Sequence, residues 1–219
     1  MFAAPPVSEE ELMERANAIA GKTLQQVANE IEATVPDNLA NAKGWVGGLI
    51  ENCLGATAGS RPEPDFQIIG VELKTIPLDD NGKPKESTFI CNTQLTGNID
   101  LSWEDSLVKC KLTRVLWVPV EASPDIPLAI RRIGSAVLWS PDIDQETRLR
   151  TDWEELMEMV CLGELDKINS HIGMCLQIRP KAANSRSLSS GLGASGETIQ
   201  TLPRGFYLRA SFTADILSK

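Results

Sequence analysis

The sequence predicts an α/β fold, because stretches of helical and of strand periodicity alternate along the chain. Apolar residues recur at helical spacing over 8–20, 44–54 and 142–162, whereas 71–76 alternates with a period of two and 115–120 is continuously apolar. A chain of 219 residues is long enough to bury a core as one domain. We therefore expect a single domain over residues 1–219, divided at most into two lobes.

The helices are predicted by their caps and apolar stripes. Ser8–Glu11 has the form of a capping box, and the helix that follows should end near Gly21, with a second short helix beginning near Thr23. The stretch 44–54 carries Trp, Leu and Cys on one stripe and stops at a glycine. The longest helix is expected over 142–162.

The strands are predicted by alternation and by turn signals. In Val71–Ile76, Glu72 and Lys74 share one face of a strand. The turn signal Asp79–Gly82 predicts that Ser87–Asn92 returns beside this strand as a hairpin. Further strands are expected at Arg114–Val120, which is predicted to be buried on both faces, at Met174–Ile178 and at Gly205–Leu208, with a long Ser- and Gly-rich loop over 182–196.

The composition excludes several classes of protein. No apolar stretch is long enough to cross a bilayer and the N-terminus lacks the regions of a signal peptide, so we expect a cytoplasmic protein. The five cysteines are scattered and form no C-x-x-C pair, which is typical of reduced, mostly core thiols. The only histidine, His171, lies in no nucleophile motif and is interpreted as a surface or packing residue.

The charge is distributed unevenly along the chain. The net charge is −9, but the residues from Ile168 onward contain six basic against two acidic residues, a balance of +4 that leaves −13 for the remainder. Contacts with phosphates require Lys and Arg. The asymmetry suits a basic C-terminal region that faces nucleic acid.

The spacing of Asp65, Glu72 and Lys74 indicates phosphodiester chemistry. Six residues separate Asp65 from Glu72-Leu73-Lys74, and Glu51 on the preceding helix offers a further carboxylate. Carboxylate oxygens suit Mg²⁺, and an ammonium group can position or activate a water molecule. The alternative is a solvated strand on which acidic and basic residues alternate. Converging carboxylates among apolar neighbours favour a cation, because they would otherwise repel one another.

Several segments of the chain, in the same order, resemble the MutH family of mismatch-repair endonucleases, and the likeness runs over nearly the whole chain. They are Gly44–Gly47, Glu51, Leu54–Ser60, Asp65–Phe66, Gly70–Pro77, Arg114–Trp117, Asp152–Met157, Gln177–Asn184 and Leu202–Leu208. The chain departs from the family pattern in two places. The stretch 106–112 lacks the histidines and arginine that are frequent there, and Asn41-Ala42 replaces a basic-acidic pair.

The resemblance implies a monomeric, restriction-endonuclease-like fold with a mixed central sheet flanked by helices. It implies an N-terminal catalytic lobe and a basic C-terminal recognition lobe around a DNA cleft. In the catalytic lobe, Glu51, Asp65 and Glu72 would bind Mg²⁺, Lys74 would assist the attacking water, and Lys43 would lie near the scissile phosphate.

The resemblance also implies a DNA-recognition set consisting of Phe89, Arg179, Pro180, Lys181 and Tyr207. Arg179 can read a guanine edge or a phosphate, and Tyr207 can pack where a methyl group on adenine N6 would intrude. The residues themselves leave an alternative open, in which Tyr207 belongs to the core and Arg179 is a surface charge.

The activity implied by the resemblance is Mg²⁺-dependent nicking of the unmethylated strand at hemimethylated GATC sites, which leaves a 5′-phosphate and a 3′-hydroxyl. The implied partners are double-stranded DNA, MutL as activator and, indirectly, MutS. Two alternatives stay open. One is a free-standing GATC restriction endonuclease, which normally needs two catalytic units, and the other is a catalytically silent DNA-binding module of the same fold.

Overall fold

The computed structural model describes residues 3–38, 44–98, 100–181 and 187–218, which divide into two compact units. Of these residues, the first unit contains those up to Glu86, those from Thr113 to Ser140 and those from Ala214 onward. The second contains Ser87–Leu112 and Pro141–Thr213. Residues 87–112, although distant in sequence from the C-terminal region, therefore belong to the same unit as most of it.

The described residues form six α-helices, eight strands and two short 3-10 turns. The helices are α1 (Glu9–Ile19), α2 (Leu24–Glu30), α3 (Trp45–Leu54), α4 (Leu107–Leu112), α5 (Ile143–Cys161) and α6 (Ala210–Leu217). The strands are β1 (Glu72–Leu78), β2 (Thr88–Asn92), β3 (Val115–Glu121), β4 (Val137–Trp139), β5 (Leu176–Pro180), β6 (Ser189–Leu192), β7 (Thr198–Thr201) and β8 (Arg204–Leu208).

The N-terminal cap of α1 forms as predicted only in part. The Ser8 hydroxyl accepts a hydrogen bond from the Glu11 N–H at 3.2 Å, but the Glu11 carboxylate accepts from the Val7 N–H at 2.8 Å rather than from Ser8. A complete capping box starts α2, where Thr23 and Gln26 each accept from the other's backbone N–H. Local side-chain chemistry therefore sets where these helices begin.

The sheet of the first unit is mixed. Strand β1 pairs in parallel with β3, and β3 pairs antiparallel with β4, in the order β1-β3-β4. Residues Val115 to Val120 of β3 are all buried, which confirms the prediction of a strand covered on both faces. The core contains Leu73 of β1, alternate residues of β3, and the apolar stripes of α1, α2 and α3.

The predicted hairpin between β1 and the strand after it is wrong. Asp79 does organise a turn, since its carboxylate accepts from the N–H groups of Asn81 and Lys83 at 2.9 Å. The returning chain makes a single bridge, Leu78 to Pro84, and then passes to another sheet. The turn itself is confirmed, but alternation within β2 carries no information about which strand it pairs with.

The sheet of the second unit is antiparallel, in the order β2-β8-β5, with an irregularity in β2 between Phe89 and Cys91. Helix α5 is tied to the start of β5 by Asp152. The buried carboxylate of Asp152 accepts hydrogen bonds from the N–H groups of Met174, Cys175 and Leu176 at 2.9, 2.5 and 2.8 Å. This interaction positions the strand on which Arg179 lies.

The loop expected over 182–196 is partly wrong, because β6 and β7 form an antiparallel hairpin within and beyond it. Ser- and Gly-rich strands lack the apolar alternation that signals a strand. Residues 182–186 lie outside the described part of the chain. Helices α4 and α6 and the three-residue strand β4 were not predicted either, since each is too short for a clear period.

None of the five cysteines belongs to a disulfide, which agrees with the expected reduced thiols, but they are not mostly in the core. Cys91 and Cys175 are buried, Cys53 is half-buried, and Cys110 and Cys161 are exposed. Burial raises the pKa of the Cys53 thiol to about 11, so this thiol is protonated at neutral pH. Among the described residues, no helix is long and apolar enough to span a membrane.

Candidate active site and DNA-recognition surface

A tight turn explains the six-residue spacing between Asp65 and Glu72. The Phe66 N–H donates to the Val71 carbonyl at 2.9 Å and the Val71 N–H to the Phe66 carbonyl at 3.3 Å, so that these two residues form a bridge. Both side chains are buried in the core of the first unit. Asp65 and Glu72 are the next residues outward on the two arms of the turn, and alternation directs both side chains away from that core.

The buried Glu72 and the mostly buried Lys74 form an ion pair at the start of β1. The Lys74 Nζ lies 2.5 Å from the Glu72 Oε1, and the side chains are 14% and 1% exposed, respectively. The Glu72 N–H donates to the Arg114 carbonyl at 2.9 Å, which fixes the beginning of β1 against β3. The strand thus presents an acid and a base on one face, as the alternation predicted.

Asp65 is held in place by the backbone around it. Its Oδ2 accepts a hydrogen bond from the Leu73 N–H at 2.9 Å, and its carbonyl accepts from the Thr57 N–H at 2.9 Å. The residue is 9% exposed. Its carboxylate is therefore directed to the beginning of β1, next to the residue that follows Glu72.

Glu51 lies on the side of α3 that faces β1. A Cβ atom added at Gly47 would lie 3.7 Å from the Thr75 Oγ1 and 3.9 Å from the Glu51 Oε1, so all three residues meet where α3 packs against the strand. The end of α3 is fixed by Gly55, whose φ is +86° and whose added Cβ would lie 2.3 Å from the Ala4 carbonyl oxygen. Lys43 lies outside the described residues.

The second unit brings four of the five predicted DNA-binding residues onto one face of its sheet. Tyr207 of β8 is in register with Phe89 of β2, and Arg179 of β5 is in register with Gly205. Lys181 follows two residues after Arg179 and therefore shares its side of the strand. We call this side, which carries Phe89, Gln177, Arg179, Lys181, Gly205 and Tyr207, the recognition face.

Two cations flank a pair of aromatic rings on the recognition face. The Lys181 Nζ lies 3.3 Å from the Phe89 ring centroid, the Phe89 and Tyr207 rings meet edge to face at 5.3 Å, and the Arg179 Cζ lies 5.6 Å from the Tyr207 centroid. Such contacts hold long basic side chains in defined positions while they stay exposed. Pro180 is exposed but falls on the other side of β5 by alternation.

The known proteins that resemble this chain align with both the candidate catalytic residues and the recognition face. The family model for the DNA mismatch repair enzyme MutH matches residues 54–152. A protein of Klebsiella pneumoniae subsp. pneumoniae described as DNA mismatch repair protein MutH is 54% identical over 218 residues, which cover all of this chain and 94% of the relative. The chain belongs to the MutH family. A relative of the same description from Yersinia pseudotuberculosis serotype IB is 52% identical over 216 residues, with 99% of this chain and 95% of the relative covered.

Membership in the MutH family agrees with the mixed sheet and flanking helices of the first unit, because this family has the restriction-endonuclease-like fold. The matched stretch 54–152 includes Asp65, Glu72, Lys74 and Phe89. The longer alignments extend over Arg179 and the rest of the recognition face. The chain is thus a member of a family of mismatch-repair enzymes, and its mixed α/β architecture was predicted correctly.

The candidate metal ligands fit a divalent cation by their chemistry. Asp65 and Glu72 supply hard oxygen donors in a buried setting, and the ammonium of Lys74 already compensates negative charge there. No three His, Cys, Asp or Glu side chains in the described part of the chain are arranged as a ready metal site. The ligand set of Glu51, Asp65 and Glu72 therefore stays a prediction.

The positive balance of the C-terminal sequence does not extend to the whole second unit. Over Ser87–Leu112 and Pro141–Thr213 the sequence contains 13 acidic and 10 basic residues, a net charge of −3. Helix α5 carries many of the acids, whereas Arg179 and Lys181 lie on the sheet. Any attraction for DNA is therefore local to the recognition face rather than a property of the unit.

Two residues of the recognition face were not predicted as functional. Gly205 is one: its added Cβ would lie 2.8 Å from the Phe89 Cε2, so only glycine lets this ring lie over β8. Gln177 is the other, a buried polar residue in register with Tyr207. Both lie within segments that resemble the MutH family. The two-residue period of β5 and β8 could have placed Gln177 on the same face as Arg179 and Gly205 on the same face as Tyr207.

Proposed function

We propose that this member of the MutH family is a Mg²⁺-dependent endonuclease that nicks the unmethylated strand of hemimethylated GATC sites in mismatch repair. The observation that carries the proposal is the ion pair between Glu72 and Lys74. Asp65 lies next to this pair, because Phe66 and Val71 form a bridge and Asp65 and Glu72 are the residues that flank it. On a solvated strand the acidic residues would be exposed, whereas Asp65 and Glu72 are both buried. Together with the family membership, they favour phosphodiester hydrolysis over a catalytically silent module.

In the proposed mechanism, Asp65 and Glu72 would hold the cation and Glu51 would complete its carboxylate ligands. The bound cation would stabilise negative charge on the scissile phosphate and acidify the attacking water. Lys74 would orient this water through its ammonium group, and Lys43, which is outside the described residues, is assigned by the family resemblance to a role near the scissile phosphate. In-line attack breaks the bond to the 3′ oxygen, so that the products are a 5′-phosphate and a 3′-hydroxyl.

Recognition of the site is assigned to the second unit. Arg179 reads a guanine edge or a phosphate, Lys181 contacts a phosphate, and Phe89 packs against the DNA. The contact expected of Pro180 would have to come from the other side of β5. Tyr207 limits the space at adenine N6, where a methyl group would intrude. The two cations that flank the pair of rings on the recognition face support the roles of Arg179, Lys181, Phe89 and Tyr207, because they arrange hydrogen-bond donors and apolar surface on one side of the sheet.

One catalytic set in a monomer makes one cut for each binding event, which suits nicking of a single strand. We propose that MutL activates the enzyme, that MutS acts through MutL, and that the protein works in the cytoplasm. A free-standing restriction enzyme of the same specificity would cut both strands of unmethylated GATC in the absence of MutL.

The test uses unmethylated, hemimethylated and fully methylated GATC duplexes, with and without Mg²⁺. Asp65→Asn and Glu72→Gln keep side-chain size but remove the charge of the ligands, so we expect nicking to be lost while DNA binding persists. Glu63→Gln is the control, since Glu63 lies two residues from Asp65 but has a side chain that is 42% exposed and pairs with Arg61 at 3.1 Å. Normal nicking by the Asp65 variant would contradict the assignment of the active site. A parent protein that binds GATC duplexes but does not nick them would favour the catalytically silent DNA-binding module.

A further inference from the structure

Gln177 makes a part-buried hydrogen bond that spans the recognition face. Its Nε2 donates to the Ser87 hydroxyl at 2.6 Å, and Gln177 is 6% exposed. Gln177 lies on β5, whereas Ser87 immediately precedes β2. Because β8 lies between these two strands, the bond crosses over β8.

The strand register places this bond on one side of Tyr207. Phe89 pairs with Tyr207 and Thr88 with Leu208, so Ser87 lies one step further along β8, toward its C-terminal end. The opposite side of the ring is occupied by Phe89, which leans over Gly205, and by Arg179, which is in register with Gly205. By strand register, the Gln177–Ser87 bond therefore lies next to Tyr207 on one side along the strand, and Phe89 and Arg179 lie next to it on the other.

An open pocket adjoins the Gln177–Ser87 bond. Ser87, Gln177 and Arg179 line a space of about 560 Å³ within the second unit, together with residues at the start of α6. Side chains beside such a space have room to move unless directional contacts hold them. A carboxamide that is buried without a hydrogen bond is unfavourable, whereas a bonded one is held in a single orientation.

We infer that Gln177 and Ser87 are positioning residues that hold the Tyr207 ring in the orientation in which it senses the methyl group of adenine. The inference rests on the proposed role of Tyr207 in methyl discrimination. Neither residue is required for the chemistry itself, which is assigned to the first unit. Loss of the bond should therefore change selectivity more than the rate on unmethylated DNA.

The experiment uses Gln177→Met and Ser87→Ala, which remove the same hydrogen bond from its two ends, and the double variant. Gln200→Met is the matched control, because Gln200 also donates to a serine, Ser190, but at 3.4 Å on the exposed β6–β7 hairpin. Tyr207 is the only tyrosine in the chain, so ¹³C-labelled tyrosine gives NMR ring signals from this residue alone. Cleavage of unmethylated and fully methylated duplexes gives the methyl preference.

We expect both single variants to shift the Tyr207 ring signals and to lower the methyl preference about five-fold, the equivalent of one hydrogen bond. The double variant should be no worse than the stronger single variant, Ser87→Thr should keep the parent's preference, and Gln200→Met should change neither readout. Unshifted ring signals, or a parent-like preference in Gln177→Met while Tyr207→Ser loses it, would overturn the inference. A parent-like preference in Tyr207→Ser would instead overturn the proposed role of Tyr207.

Discussion

The Lys74 ammonium lies 2.5 Å from the carboxylate of Glu72, which is 1% exposed. Breaking a buried ion pair from one side leaves a charge in a medium that solvates it poorly, and this typically costs about 3–5 kcal/mol. The pair is thus a part of the folded state as well as a candidate for catalysis.

We expect Lys74→Met to abolish nicking and to lower the free energy of unfolding by about 3–5 kcal/mol, because Glu72 loses its ion-pair partner. Urea unfolding followed by Trp fluorescence measures the stability. Glu72→Gln combined with Lys74→Met should recover most of the loss, since no buried charge then remains.

The control is Lys167→Met, which removes a lysine that lies 2.6 Å from Glu164 but is 68% exposed. An exposed pair contributes about 0–1 kcal/mol, so this variant should unfold almost like the parent. Equal changes in the Lys74 and Lys167 variants would mean that burial of the Glu72 pair contributes nothing to stability.

Arg179→Ala and Lys181→Ala should each weaken DNA binding and reduce the slope of log K against log salt by about 0.9 for each phosphate that the variant no longer neutralises. Arg150→Ala is the control, because Arg150 lies on α5 and is held by Glu154 at 2.8 Å and Glu104 at 3.2 Å. Titration of a labelled GATC duplex at several salt concentrations provides both quantities. The same decrease in affinity in all three variants would contradict the proposal that DNA binds at the recognition face.

Gly205→Ala should displace the Phe89 ring and destabilise the protein by about 1–3 kcal/mol, as overpacking does. The added Cβ would also lie 3.1 Å from the Cys91 carbonyl, so the strand itself has little room to adjust. Affinity for DNA should fall in the same variant, because Lys181 would no longer rest on the Phe89 ring.

Gly48→Ala is the comparison for this glycine, since an added Cβ there meets no atom within 4 Å. Alanine in a helix is favoured over glycine by about 0.5–1 kcal/mol, so this variant should be slightly more stable than the parent. If Gly205→Ala left stability and DNA affinity unchanged, the position of the Phe89 ring over Gly205 would matter for neither.

Glu9→Gln should lower stability at neutral pH but not in acid. The bidentate hydrogen bond from Arg114 holds the pKa of Glu9 below its ordinary value of 4.5, so the carboxylate stabilises the fold above that pH and loses this effect as the pH falls through its lowered pKa. The Glu9 side chain is 38% exposed, so solvent screening limits the effect to about 0.5–1 kcal/mol.

Urea unfolding at pH 7 and near pH 3 checks this dependence, with Glu14→Gln as the control because Glu14 is an exposed acid on the same helix. The difference between parent and Glu9→Gln should shrink toward zero in acid. A difference that persists at low pH would assign the effect to packing at α1 rather than to the charge of Glu9.

The sequence by itself determined the features that depend on near neighbours in the chain. Helical spacing and caps located α1, α3 and α5, and alternation placed Glu72 and Lys74 on one face of β1, because both periods are properties of a short stretch of backbone. Resemblance to the MutH family then supplied roles for these residues.

Only the tertiary structure decided how distant stretches meet. Alternation in 87–92 could not show that this strand pairs with β8 rather than with β1, and that pairing is what places Phe89 beside Tyr207. The Gln177–Ser87 bond likewise joins residues 90 positions apart. Strand pairing depends on which edges remain open once the whole sheet has formed, and local sequence does not encode this choice.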